Sequence, residues 1–395
     1  SLSELNKDDE SIRYHTKAIE IDSDNFEAWL NFGVSQKKLK KYDDAIISFN
    51  KSILLNSNSG KPFSNLGEIY TEIKDYKTAK TYFQNALNID PKSSENITNL
   101  GVVYKNLKDF ENSIKYHLEA IKIDENYAEA YSNLGITYRR IFEYEKAIQN
   151  LDKALIINPN LESAWINKGL IHADTDNYSD AKKCYKKVIQ LNNKNQDVYL
   201  NLSLLELSNR KFKNGWKFYE KRWSTRKFQK YVNSERKAWN GKKNLNSLLI
   251  VSEQGLGDQI LYASMFNELN KYSKQISLLS DPKLVPVFKR SFPNFEIISR
   301  SDFDNSKSVD YFDSHIAMGS LGQYFRKNID DFNKNRVSYI IDNKDLTFDL
   351  EKKVKENKKL ICGITWLSKN EDIGLNKSID LQLLSPILEN KKIKF

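Results

Sequence analysis

Cysteine is scarce: the 395 residues contain two, Cys184 and Cys362, far apart and without metal-ligand spacing. That argues against a disulfide framework and a cysteine-built metal site, and makes a reducing compartment, the cytoplasm, the expectation. Long apolar runs are missing too. No stretch approaches the ~18 apolar residues of a membrane span, and no signal peptide is visible. Charge of one sign never forms a block. The net charge is +10, yet lysines interleave with Asp and Glu in every segment. The surplus therefore reads as a solvated surface and not as a nucleic-acid site. No Gly-Lys-Ser or Gly-Lys-Thr is present to make a P-loop. What is there argues for folding: 39% hydrophobic residues, 12% aromatics, and length enough for two or three cores. The chain opens at Ser1 in mid-pattern and stops at Phe395 in what reads as a new strand, so truncation at both ends is expected.

A fixed period dominates the first half. Gly33, Gly67, Gly101, Gly135 and Gly169 stand 34 residues apart, with Ser203 in the sixth slot. Four residues before each slot is a large residue: Trp29, Phe63, Ile97, Tyr131, Trp165 or Tyr199. Twelve after it is a small one: Ala45, Ala79, Ser113, Ala147, Ala181 or Gly215. Sixteen after it comes Phe49, Phe83, His117, Leu151, Tyr185 or Tyr219, and Pro91 and Pro159 close two units. Two helical patterns per 34 residues resemble the tetratricopeptide repeat, which implies an all-α superhelix. Residues 11–24 match the second helix of a further, decapitated unit, so the array is expected to continue upstream.

Phase also sorts the histidines. His15 and His117 lie three periods apart at one packing position, and His172 takes the slot of Tyr70, Tyr104 and Tyr138. These three read as packing residues. One polar position is equally regular: two residues before every slot is an asparagine, Asn31, Asn65, Asn99, Asn133, Asn167 and Asn201. In stacked repeats the first helices line the concave groove, where amides can grip a peptide backbone whatever its side chains. The array resembles that of protein O-linked N-acetylglucosamine transferases, in which such a ladder holds an extended polypeptide. The competing reading is that each amide bonds a neighbouring helix.

Trp216, Trp223 and Trp239 are expected to cap the last repeat's apolar end. Beyond them the grammar becomes α/β. The stretch LLIVSEQGLGDQILY, Leu248 to Tyr262, reads as strand, tight glycine turn and a helix beginning near Asp258 and running to Lys271. Further strands are expected at 275–280, 295–299 and 309–312, with helices at 282–291 and 321–328, giving a parallel sheet with helices on both faces. A second start, KLICGITW, is followed by a polar loop, a helix over 378–390 and a strand over 391–395. The loop lacks the third glycine of GxGxxG and carries an acid where a pyrophosphate would sit.

Trp239-Asn240-Gly241, the run from Leu248 to Ile260, Cys362-Gly363-Ile364-Thr365-Trp366 and Lys377-Ser378-Ile379 together resemble bacterial tetratricopeptide proteins carrying a heptosyltransferase-like (glycosyltransferase family 9-like) GT-B module. The resemblance implies a partial repeat at 1–25, six repeats over 26–223, a junction at 224–246, an acceptor-side Rossmann-like domain at 247–355 and a truncated donor-side domain at 356–395. It implies a metal-independent transferase that uses a nucleotide sugar as substrate, needs no cofactor, and recruits a polypeptide or protein partner through its repeats. Gln254, Gly255, Leu256 and Gly257 would face the substrate, and Asp258 matches the proposed general base, with N-capping and acceptor binding as alternatives. His315, in a loop expected at the interdomain cleft, is an acceptor contact, an auxiliary base or a surface histidine. Thr365, Ser368, Lys369, Lys377 and Ser378 match a loop that reaches donor phosphates, or form an ordinary polar loop. Residues 1–395 alone are expected not to transfer sugar. The alternative function is a non-catalytic interaction scaffold with a degenerate GT-B-like domain.

Overall fold

The computed structural model describes residues 2–224, 238–253, 255–303, 312–333, 338–345, 348, 352, 360–361 and 393–394, the side chains of 2–10, 223–224, 360–361 and 393–394 excepted. The chain divides into two compact units, 1–229 with 327–329 and 230–326 with 330–395.

In the first unit α1 (Leu2–Ile21) packs on α2 (Phe26–Lys38), and helix pairs follow: α2 with α3 (Tyr42–Leu55), α4 (Gly60–Glu72) with α5 (Tyr76–Ile89), and α6 (Ser94–Asn106) with α7 (Phe110–Ile123). Then come α8 (Ala128–Arg140) with α9 (Tyr144–Ile157), α10 (Glu162–Asp174) with α11 (Tyr178–Leu191), and α12 (Gln196–Ser208) with α13 (Phe212–Tyr219). The glycine slot is where each pair closes. A Cβ on Gly67 would stand 2.8 Å from the Phe83 ring, on Gly101 2.6 Å from His117 and on Gly169 2.5 Å from Tyr185. Real Cβ atoms do not approach so closely, so the residue sixteen positions on fills the space that glycine leaves. Ala45, Ala79, Ser113, Ala147 and Ala181 are fully buried at the same crossings. Successive first helices also touch one another, while successive second helices meet at most weakly, so the array curves with its first helices inside.

The turn inside each unit carries a feature that residue type does not announce. Lys40, Lys74, Lys108, Phe142, Asp176 and Arg210, again 34 apart, have φ between 57° and 67°. The following N–H reaches back five residues in a Schellman-type closure: Lys41 to Gln36 O at 2.9 Å, Asp109 to Tyr104 O at 2.9 Å and Asn177 to His172 O at 2.7 Å. Left-handed backbone costs a non-glycine residue roughly 1–2 kcal/mol, which the repeated helix–helix contact must offset.

The second unit holds a small parallel sheet. β1 (Leu245–Val251), β2 (Ser273–Ser280), β3 (Glu296–Ser299) and β4 (Ser314–Ala317) run in the order β3-β2-β1-β4, all parallel, with Leu248 opposite Ile276 and Ser314. α14 (Leu256–Ala263), α15 (Val285–Ser291) and α16 (Gly322–Phe325) join one core with Leu248, Ile250, Ile276, Leu278 and Ile297. Leu249, Val251, Ser277, Leu279 and His315 alternate with that set and are buried as well, as a strand covered on both faces requires. A two-residue pair, β5 (Leu360–Ile361) and β6 (Ile393–Lys394), is also parallel.

Several expectations need correction. The helix after β1 starts at Leu256, two residues before Asp258, but ends at Ala263 and not at Lys271, with a 3₁₀ segment, Phe266–Lys271, in the rest of the expected span. Of the strand expected at 309–312 all but Phe312 lies outside the described residues, and the strand described nearby is Ser314–Ala317. Trp239 does not cap the repeats: it lies 5.2 Å edge-on from Tyr272 in the sheet's core, and its indole N–H donates to the Lys242 carbonyl. Trp216 is buried in α13, while the Trp223 side chain and the helix expected at 378–390 lie outside the described residues.

The array's histidines are packed groups. Burial lowers the pKa of His15 and His172, and that of His117 falls to about 3, chiefly through burial and then through Lys105. Neither ring nitrogen of His117 has a hydrogen-bond partner. Below pH ~6.5 the unfolded chain takes up a proton there that the folded chain refuses until about pH 3. Stability therefore falls with pH over that window by roughly 1.4 kcal/mol per unit. His117→Leu places there the residue that Leu151 supplies two helices later. The variant is expected to lose about 2 kcal/mol less than wild type between pH 6.5 and 5, read from urea midpoints of helical circular dichroism.

Candidate functional site

Two places gather the polar residues singled out above. The first is the inner face of the array. All six asparagines lie on first helices, Asn31 exposed and the others half-buried. Three bond back onto their own helix: Asn65 Nδ2 donates to Lys61 O at 2.9 Å, Asn133 to Glu129 O at 3.0 Å and Asn167 to Ser163 O at 2.8 Å. One amide hydrogen is thereby used, the amide plane is fixed, and the carbonyl oxygen points away from the helix. A bond to the neighbouring unit occurs at Asn65, whose Oδ1 accepts from Lys37 at 2.6 Å. Between the first three units the face encloses about 870 Å³, lined by Asn31, Lys37, Ser64, Asn65, Glu68 and Asn96. Charges are sorted along several of these helices, though not along α4, which has Lys61 near its start and Glu72 at its end. Glu27, Glu95, Glu129 and Asp197 sit in first turns and Lys37, Lys105, Arg139 and Arg140 in last turns, each matched to the helix dipole.

The second place is the carboxyl end of the sheet. Ser252 N–H continues the ladder to Leu279 O at 2.9 Å, and the chain then turns into α14 with Gly255 as N-cap. Asp258 is the third helical residue, and its Oδ2 accepts from Gly255 N–H at 3.2 Å. This is the carboxylate half of a capping box, the structuring role an acid has at that position. Gly255 has φ −77°, and among these glycines only Gly241 has positive φ, so the turn does not draw on glycine's conformational freedom. What glycine supplies is room: a Cβ on Gly257 would meet nothing within 4 Å. Gly255, Leu256 and Gly257 are exposed and Asp258 is half-buried.

Two neighbours missed from sequence hold this edge together. Glu253, 5% exposed, accepts from Gly319 N–H at 2.9 Å and so ties the loop after β1 to the loop after β4. Gln259, fully buried, accepts from Asp281 N–H at 3.4 Å and ties α14 to the end of β2. Neither stood out in the sequence, because Glu253 lies between Ser252 and Gln254 and Gln259 follows Asp258. His315 is not in an exposed loop: it lies within β4, 4% exposed, with Nε2 unpartnered and its pKa lowered by burial. Its carbonyl accepts from Trp239 N–H at 2.8 Å, and no hydrogen bond joins it to Asp258 among the described residues. Gln254, Thr365, Ser368, Lys369, Lys377 and Ser378 lie outside the described residues. Among those described, no group of three His, Cys, Asp or Glu side chains is placed to hold a metal.

Family models described as tetratricopeptide repeat match residues 26–59, 62–93, 93–157 and 163–195. These segments are tetratricopeptide repeats. The fold of the array is shared with solved structures at low identity. One is the APC/C hetero-tetramer Cut9–Hcn1, at 14% identity and TM-score 0.51, covering 56% of this chain and 44% of that one. Another is a tetratricopeptide repeat protein from Parabacteroides merdae, at 14% identity and TM-score 0.50, covering 57% and 90%. This chain thus spans less than half of the first and most of the second. No curated protein sequence matches it.

Outside the tetratricopeptide repeats, the tie most open to test is Glu253. Glu253→Ala leaves the Gly319 N–H without its acceptor, a loss of about 1–3 kcal/mol for a buried group. Hydrogen exchange at the Gly319 amide is expected to quicken roughly tenfold or more. Glu253→Gln, which keeps an acceptor oxygen, is expected to retain most of the protection. Unchanged exchange in the alanine variant would remove this tie.

Proposed function

We propose that the tetratricopeptide array holds an extended polypeptide and that the α/β unit is a heptosyltransferase-like domain acting on it with a nucleotide-sugar donor. The observation that carries the first half is the ladder: amides at six 34-residue steps along the inner helices, three of them oriented by bonds to their own backbone. An amide so held presents its carbonyl and remaining N–H to a backbone running along the groove, which selects for an extended chain and not for its side chains. Support for the second half is the parallel sheet with a glycine-bearing loop at the carboxyl end of its central strand, where ligands bind in sheets of this kind. In this reading Asp258 removes the acceptor proton as general base, with Gln254 to Gly257 beside the substrate. Lysines and hydroxyls at Thr365, Ser368, Lys369, Lys377 and Ser378 take the departing phosphate, without a metal. Protein interaction is the coarser function to which the repeats themselves point.

A second reading, an interaction scaffold without catalysis, draws on the bond from Gly255 N–H to Asp258 Oδ2, because the capping role it gives the carboxylate accounts for an acid at this position without catalysis. The two part on one experiment. The full-length protein is incubated with a panel of nucleotide sugars and a bound peptide, and both nucleotide release and sugar transfer are followed for wild type and Asp258→Asn. A general base is worth roughly 10²–10⁴ in rate, so the variant is expected to lose at least a hundredfold. Equal rates would remove Asp258 as base. No turnover by wild type beside intact peptide binding would leave the scaffold.

A further inference from the structure

Because the units repeat one inter-unit chemistry, a missing partner shows as a break in phase. Four residues after its glycine slot, unit one carries Lys37, which pairs with Glu68, one residue after the next slot. Unit four carries Arg139 at the same place, paired at 2.9 Å with Asp174, five residues after the next slot. Unit three carries Lys105 there, and the two corresponding places in unit four hold Ile136 and Arg140: an apolar residue and a like charge. Lys105 is half-buried, and its ammonium makes neither a hydrogen bond nor an ion pair among the described residues. Burial, and then Arg140, bring its ammonium pKa down to about 8, the mark of a cation short of a counter-charge. The acids one unit back are engaged elsewhere, Glu68 with Lys37 and Glu72 with the Tyr42 hydroxyl.

Beyond this point the last two units carry apolar residues at two places on their first helices: Leu170 and Leu204 one residue after the slot and Ile166 and Leu200 three before it, as unit one does with Val34 and Leu30, whereas units two to four have Ser64, Thr98 and Ser132 at the second place. Leu204 is 54% exposed and Leu200 36%, apolar surface without cover on the array's inner helices.

We propose, building on the peptide-groove reading above, that the bound segment supplies an Asp or Glu side chain to Lys105 and Arg140 and lays apolar side chains along Leu170 and Leu204. The carboxylate is a side chain and not a chain end. Asn31, Asn65 and Asn99 lie on one side of the site and Asn133, Asn167 and Asn201 on the other, so a chain using the whole ladder passes Lys105 in its middle. A carboxylate brought there forms charge-assisted bonds with two cations, one already stripped of much of its water.

The test uses two pools of short peptides, acetylated and amidated at their ends, drawn from Leu, Val, Ala and Ser with one central Glu or one central Gln. Binding to the whole protein is followed by fluorescence anisotropy at low salt. The Glu pool is expected to bind about tenfold more tightly, or about 1.4 kcal/mol. That preference should vanish in Arg140→Asp, which places a carboxylate where Asp174 serves Arg139, and should survive in Lys38→Gln, an exposed cation on α2. Asn99→Ala with Asn133→Ala should weaken both pools alike. Equal binding of the two pools to wild type, or a Glu preference that persists in Arg140→Asp, overturns the acidic partner while leaving the groove reading intact. Failure of both pools to bind overturns both readings.

Discussion

The approach of one helix backbone to one bulky side chain is the constraint on which the array depends. At each of five slots the glycine has no room for a Cβ, because the residue sixteen positions on occupies that volume. The demand is for volume and not for chemistry: two phenylalanines, a histidine, a leucine and a tyrosine all meet it. The histidine pays for the substitution by burying two unpartnered nitrogens, which keeps it neutral and turns a packing residue into an acid-sensitive one. With the pair distance fixed by volume, the left-handed turn between helices becomes the only closure that fits. Lysines, a phenylalanine, an aspartate and an arginine all accept it.

Fixing the frame in this way frees the inner face to vary. Many of its acids and bases already have a stabilising reason to be where they are, since first-turn acids and last-turn bases, as on α2, α6 and α8, complement the helix dipoles by roughly 0.3–1 kcal/mol each. Neighbouring units then add pairs such as Arg139 with Asp174. Those exposed pairs contribute little to stability, so exchanging one for an apolar residue or a like charge is tolerated by the fold. Ile136 and Arg140 are such exchanges. The same tolerance that makes them structurally cheap makes the inner face a surface on which partner preference is written.

Much of the array was legible in the sequence because its signal repeats. A glycine, a small residue and a bulky residue in fixed phase place both helices of a unit without any knowledge of turns. The left-handed turn residues were not legible, since lysine and phenylalanine carry no preference for that backbone and adopt it under tertiary pressure. In the α/β unit, the apolar run from Leu248 to Val251 announced its strand, while single residues misled. Asp258 reads as the start of a helix but is its third residue, because Gly255 can cap through its backbone. His315 was expected in a loop and lies in β4, one strand-length from where Val309 to Phe312 suggested. Trp239 was grouped with its sequence neighbours and joined a different core. Periodic evidence survives a one-residue error; a lone motif does not.

The loop after β1 shows how far a carboxylate's position constrains its chemistry. Glu253 and Asp258 both accept from backbone N–H groups, but they differ in exposure. Glu253 is enclosed and its bond to Gly319 organises the sheet's edge, so its negative charge is spent on structure. Asp258 is half open and its bond to Gly255 is a longer, 3.2 Å contact to one oxygen, beside a glycine whose side-chain direction is empty. That bond engages one of the two oxygens and fixes the group on the first turn of α14. The capping contact is therefore not an alternative to proton transfer at Asp258: a carboxylate has two oxygens, and the capping bond uses one of them.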